Sequence, residues 1–108
     1  KKRLTIPTGN ELLFLNIEEI IRCHSDVNYT TIYKNDKQKI VVAKTLKEFE
    51  ELLADHDFFR IHNSDLINLD YIKSYNKGKG GSVILRDGTE LEVSTRRKDE
   101  FLKKMTEL

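Results

Sequence analysis

The sequence predicts a mainly β domain carrying one mid-chain helix and one C-terminal helix. Three observations point there. Runs rich in β-branched and aromatic residues, Tyr29 to Tyr33 above all, recur at short intervals and suit a pleated, half-buried surface. Asp87-Gly88 between two apolar runs signals a two-residue hairpin turn, because glycine supplies the positive φ that such a turn needs. Helical spacing appears in two windows, one holding Leu46, Phe49, Leu52 and Leu53, the other Phe101, Leu102 and Met105.

Taken in order, Lys1-Lys2-Arg3 reads as a linker remnant or arm, and residues 4–108 as a single domain. Leu4-Thr5-Ile6 alternates as a short strand, ended by the turn cluster Pro7-Thr8-Gly9-Asn10; residues 11–15 form the next. Asn16 is placed to cap a single helical turn, Ile17-Glu18-Glu19. Strands follow over residues 20–24, 29–34 and 38–42, joined by Ser25-Asp26-Val27-Asn28 and Asn35-Asp36-Lys37. Thr45 with Glu48 three residues later is a capping box, and the helix it opens should end near Ala54-Asp55-His56 with an acidic face in solvent. Residues 72–76 read as a strand. Lys77-Gly78-Lys79-Gly80-Gly81 is a loop that lacks the spacing and trailing Lys-Ser/Thr of a nucleotide-phosphate loop. Residues 83–86 and 89–93 flank the Asp-Gly turn. Ser94 or Thr95 caps the last helix, with Asp99 and Glu100 in its first turns and Lys103-Lys104 late, as the helix dipole prefers. The strands number about eight, all short and predominantly antiparallel.

The stretch from Phe58 to Ile72 organises the rest. Phe58, Phe59, Ile61, Leu66, Ile67, Leu69 and Ile72 must enter a core, while Arg60, His62, Asn63, Ser64 and Asn68 form a dense polar set without a Gly or Pro break. It reads as a rigidly anchored segment that displays polar side chains outward.

Composition bounds the function. The 108 residues make one domain, 38% hydrophobic and 34% charged, with a formal net charge of only +1. The charge is unevenly spread: residues 44–57 carry five acids and two bases, residues 71–98 seven bases and three acids. An acidic helix on one side and a basic region elsewhere follow. The single Cys23 excludes an internal disulfide and fits a reducing cytoplasm, and no stretch approaches the length of a membrane span.

Enzyme chemistry finds little support. His62, Ser64 and Asp65 are the residue types of a hydrolase triad, but alternate strand residues point to opposite faces, so that close spacing works against one. Cys23 and His24 with His56 and His62 match no metal-ligand spacing, and Cys23 suits a small core position. No metal or cofactor is expected. Nucleic-acid chemistry is better served. Asn63 and Asn68 each present donor and acceptor together, Arg96 can fork onto guanine or phosphate, and Asn28 sits where a loop can project it. Arg96-Arg97-Lys98, Lys73, Lys77 and Lys79 can neutralise phosphates. Tyr29, Tyr33, Tyr71 and Tyr75 offer stacking faces, though strand positions favour half-buried packing.

Phe58-Phe59-Arg60-Ile61-His62-Asn63-Ser64-Asp65-Leu66-Ile67-Asn68 resembles the signature of the LytTR family of bacterial DNA-binding domains. Asp26-Val27-Asn28-Tyr29-Thr30 resembles that family's first recognition loop, and Leu91-Glu92-Val93-Ser94-Thr95-Arg96-Arg97 its final element. The resemblance implies an elongated antiparallel β fold that reads double-stranded DNA through loops and strand ends instead of a recognition helix. It implies base or backbone contacts from Asn28, Asn63 and Arg96. Arg97, Lys98 and Lys77 join them as phosphate contacts on charge alone. Arg60, His62, Ser64 and Asn68 would structure the loop. It further implies the output half of a response regulator in a two-component system, with an N-terminal receiver domain outside these residues, binding promoter direct repeats as a homodimer. Two departures stand out. Asp65 occupies a place where an aromatic or His is usual, and must either repel phosphates, turn away, or accept a bond from Arg60 or His62. Thr95 stands where a further Arg is frequent.

Transcriptional DNA binding is therefore the expected function. A β-rich protein-interaction module without nucleic-acid binding is the alternative, favoured by the near-neutral charge, and an RNA-binding β domain is a weaker third. Steep salt dependence separates the first from the second; a preference for single strands marks the third.

Overall fold

The computed structural model describes residues 2–78 and 80–107, so the readings placed on Lys1 and Lys79 lie outside the described residues. Strands β1 (Arg3–Pro7) and β2 (Leu12–Asn16) pair as a hairpin. Arg3, read as part of a linker, opposes Asn16 in that hairpin, and the Lys2 carbonyl accepts from the Ile17 amide at 3.1 Å. A single 3-10 turn, Ile17–Glu19, follows; Asn16 stands at its cap position, but its side chain makes no capping bond.

The central sheet contains β3 (Ile20–Asp26), β4 (Tyr29–Lys34), β5 (Lys39–Val42), β6 (Phe58–His62) and β7 (Asp65–Asn68), in the order β5-β4-β3-β7-β6. Helix α1 (Leu46–Leu52) crosses between β5 and β6. A third sheet, β8 (Ile72–Asn76), β9 (Ser82–Leu85) and β10 (Glu90–Glu92), precedes α2 (Thr95–Thr106). Among the described residues ten strands stand where about eight were expected, because residues 58–68 fold on themselves as the β6–β7 hairpin. The sequence offers no Gly or Pro there, and side chains build the turn instead.

The central sheet buries both faces. On one side α1 and the β1–β2 hairpin cover Ile20, Cys23, Ile32 and Leu66; on the other the third sheet and α2 cover Ile21, Ile61 and Ile67. Neighbours such as Leu66 and Ile67 face opposite cores, as strand alternation requires. Register irregularities fall at Ile21 in β3 and at Ile61 in β6. Such bulges re-aim a side chain, and here both isoleucines end in the second core.

Helix α1 carries the expected capping box, with Thr45 accepting from the Glu48 amide and Glu48 from the Thr45 amide. It ends at Leu52, short of 54–56, and Leu52 is 48% exposed instead of sharing the buried face of Leu46 and Phe49. The β9–β10 loop also differs. Residues 86–88 form a three-residue connection in which Gly88 alone is left-handed (φ 91°) and its amide bonds the Leu85 carbonyl at 2.9 Å. A two-residue turn of that family would need Asp87 left-handed too; one glycine suffices for the longer loop. In α2 Phe101 is buried, Leu102 half-buried and Met105 exposed. The molecule measures 45 × 30 × 23 Å, which makes it elongated.

Candidate nucleic-acid interface

Three segments far apart in sequence meet at one end of the central sheet. The β3–β4 turn is Val27-Asn28, since Asp26 pairs with Tyr29. The β6–β7 turn is Asn63-Ser64. The Ser25 amide donates to the Ser64 carbonyl at 2.9 Å, which binds the two turns side by side. The third segment is the start of α2: the Ser94 amide donates to the Ile61 carbonyl at 2.8 Å and Arg97 Nη1 to the Arg60 carbonyl at 3.1 Å. Asn28, Asn63 and Arg96, one from each segment, are all exposed.

The β6–β7 turn is held from inside. Arg60 donates through Nη2 to the Asn63 carbonyl, through Nε to the His62 carbonyl (3.4 Å) and through Nη1 to Glu50 on α1 (3.2 Å). The Ser64 amide donates to His62 Nδ1 at 3.2 Å. These bonds replace a glycine-based turn, and they leave the Asn63 amide facing solvent. Asn68 does not face outward. It is buried, its Nδ2 donating to the Ile20 carbonyl at 2.9 Å and its Oδ1 accepting from the Asp70 amide at 3.0 Å. Reading it beside Asn63 as a base-facing amide fails, because β7 is buried along its whole length.

Asp65 sits at the junction of the two turns, 7% exposed. Its Oδ2 accepts from Ser64 Oγ at 3.0 Å, and its Oδ1 lies 2.9 Å from His24 Nδ1 and 3.6 Å from Arg22 Nη1. It is buried among partners, which are Ser64, His24 and Arg22, not Arg60 or His62. A sequence reading misses this cluster because His24 and Arg22 lie about forty residues upstream; a carboxylate at an apolar strand position was the one available signal. His62, Ser64 and Asp65 do come together, contrary to the argument from strand alternation, since a hairpin turn separates them. Ser64 Oγ lies 3.0 Å from both His62 Nδ1 and Asp65 Oδ2, and the carboxylate bonds the serine and not the His62 ring, so the Asp–His–Ser order of a hydrolase triad is not formed. Burial pushes the Cys23 thiol up to about 12, against a smaller lowering from Arg22, which leaves it protonated and inert at neutral pH.

Among the cations, Arg96 and Lys77 are exposed, and Lys98 is half-buried. The loop that carries Lys77 is tied to the start of α2 by the bond from the Val93 amide to the Gly81 carbonyl (3.2 Å). Gly81 is left-handed, and a Cβ there would collide with the Tyr75 hydroxyl and press on Lys98 Cε, so the loop and helix pack closely only with glycine. Arg97, expected on charge to contact phosphate, is turned inward as the strut to β6. Asp99 and Glu100 lie beyond the first turn of α2; that turn holds no acid and carries Arg96, Arg97 and Lys98. Tyr33 is half-buried with the Arg22 guanidinium 3.8 Å above its ring, whereas Tyr29 is exposed. Among the described residues no three His, Cys, Asp or Glu side chains are placed to hold a metal ion, and no helix is long and apolar enough to cross a membrane.

The family model of the LytTr DNA-binding domain matches residues 10–106. The sensory transduction protein LytT of Bacillus subtilis (strain 168) is 27% identical over 94 residues, which cover 85% of this chain and 39% of that protein. The heme-containing CO-sensing transcriptional regulator RcoM 1 of Paraburkholderia xenovorans (strain LB400) is 22% identical over 96 residues, 88% of this chain and 36% of that protein. The chain thus spans well under half the length of these curated relatives. A solved LytTr DNA-binding domain from Bacillus cereus superimposes with a TM-score of 0.81 at 20% identity, covering 99% of both chains, a likeness of fold. With a family match that takes in all three converging segments, the chain belongs to the LytTr DNA-binding domain family.

Proposed function

We propose that this domain binds double-stranded DNA sequence-specifically, with Asn28, Asn63 and Arg96 reading the duplex from the end of the central sheet. The observation that carries the reading is the convergence of three exposed side chains on braced backbone. A two-residue turn, a hairpin tip held by Arg60 and His62, and a helix start tied to β6 each leave one hydrogen-bonding side chain exposed. Asparagine matches adenine and arginine matches guanine in the major groove by paired hydrogen bonds. Arg96, Lys98 and Lys77 supply the phosphate contacts; Arg97 holds α2 in register with β6. Phosphate contacts position the domain, and base contacts give it specificity.

In the longer protein the domain acts as the output half of a response regulator, with a receiver preceding it, two copies occupying promoter direct repeats. The likeness to LytT, a sensory transduction protein, supports this role.

The test is selection of bound duplexes from a random pool, followed by titrations at several salt concentrations. An enriched motif with a log–log salt slope of roughly −3 to −4.5, as about three to five phosphate contacts give, supports the reading. Asn63→Ala should then lose about 1–3 kcal/mol of discrimination at one base pair while its melting temperature holds. Unchanged selectivity in that variant would remove Asn63 from the reading set. Binding without enrichment would reduce the domain to a nonspecific DNA binder.

A further inference from the structure

The most exposed large apolar side chain of the described residues is Val27, at 87%, and it lies beside Asn28 in the β3–β4 turn. It is also the one β-branched residue among them whose backbone is left-handed, with φ 55°. A β-branched residue at positive φ is a true outlier, and glycine would hold this turn without strain. Two unfavourable features, an apolar side chain in water and a strained backbone, therefore coincide at one position of the proposed reading end. Strain of this kind clusters where it serves a ligand.

The composition of the turn says what that ligand contact is. Ser25-Asp26-Val27-Asn28 contains an acid and no base, and Asp26 is exposed. Such a turn is ill suited to clamp a phosphate. It offers an amide and an apolar tip side by side, which suits base edges on the floor of the major groove, where thymine alone presents a methyl group. The turn cannot retreat, because the amide of Ser25 is bonded to Ser64 and the neighbouring His24 is bonded to Asp65.

We propose that Val27 is a specificity-determining residue that packs on the 5-methyl group of a thymine next to the base read by Asn28. The inference rests on the DNA-binding reading above and adds a base preference that hydrogen bonding alone does not supply.

The test uses the 108-residue chain and its Val27→Gly variant, which relieves the backbone and removes the side chain. Each protein is put through selection from random duplexes. In the site chosen by the wild type, each thymine is then replaced singly by deoxyuridine, which deletes the methyl and nothing else. One replacement should weaken wild-type binding about four-fold, the ratio expected for burying a single methyl-sized group, and leave Val27→Gly unaffected. The variant should also melt at a higher temperature, so that loss of selectivity cannot be ascribed to unfolding. An enriched site at which no deoxyuridine replacement distinguishes the two proteins overturns the role of Val27 while DNA reading stands. Failure of both proteins to bind any duplex at low salt overturns the DNA reading and this inference with it.

Discussion

At the start of α1, Thr45 and Glu48 exchange side-chain and backbone bonds, and the first turn carries an acid. At the start of α2, Ser94 makes no side-chain capping bond, its buried Oγ finds no partner among the described residues, and the first turn holds Arg96, Arg97 and Lys98. A helix N-terminus carries a partial positive charge, so cations there oppose the dipole by roughly 0.3–1 kcal/mol each. The two helices belong to one chain and one solvent, and both pack a buried phenylalanine, Phe49 and Phe101. The first is arranged for stability. The second sets positive charge against the dipole beside two polar turns, a cost that a DNA backbone bound there, as proposed above, would offset. Departures from local rules of this kind are expected at functional sites.

The contrast can be broken in three ways. Phe49→Ala should have the largest effect, about 3–5 kcal/mol of lost stability in a urea titration, because it opens a cavity beneath α1 where the side chain is fully buried. Arg96→Ala should cost about 1–3 kcal/mol of DNA affinity by fluorescence anisotropy, with stability unchanged or slightly raised. If it instead destabilises the fold as a lost cap would, the cations of α2 are structural and the contrast collapses. Thr45→Ala should cost about 1 kcal/mol of stability and leave the DNA affinity of the folded protein within two-fold, since among the described residues the side-chain hydrogen bond from α1 to the turns is the Glu50 brace on Arg60, distant from the cap. A marked affinity loss in this variant would mean that the cap of α1 also sets the geometry of the reading end.

Two of the hairpin loops differ in a comparable way. Residues 86–88 turn by glycine, and the pattern was visible from Asp87-Gly88, though its length was not. Asn63-Ser64 turns by side chains reaching in from Arg60 and His62, which no dipeptide rule captures. The stretch 58–72 was legible as anchored and polar. Its fold-back was not, nor was the burial of Asn68 and Asp65, because both depend on β3, whose partners lie 48 and 41 residues upstream.

What the sequence determined alone is what local chemistry decides: the mainly β class, the capping box of α1, and the motifs that resemble one DNA-binding family. Each rests on short patterns of neighbouring residues, the family motifs on three such patterns in order along the chain. Tertiary structure decided which polar side chains face out. Asn28, Asn63 and Arg96 remain exposed, while Arg97 becomes a strut, Asn68 a buried tie and Asp65 the junction between two turns. The physical reason is pairing across the sheet: a polar group that a distant strand brings beside a partner is drawn inward to satisfy its hydrogen bonds, and one left at a hairpin tip or helix start stays free for a ligand.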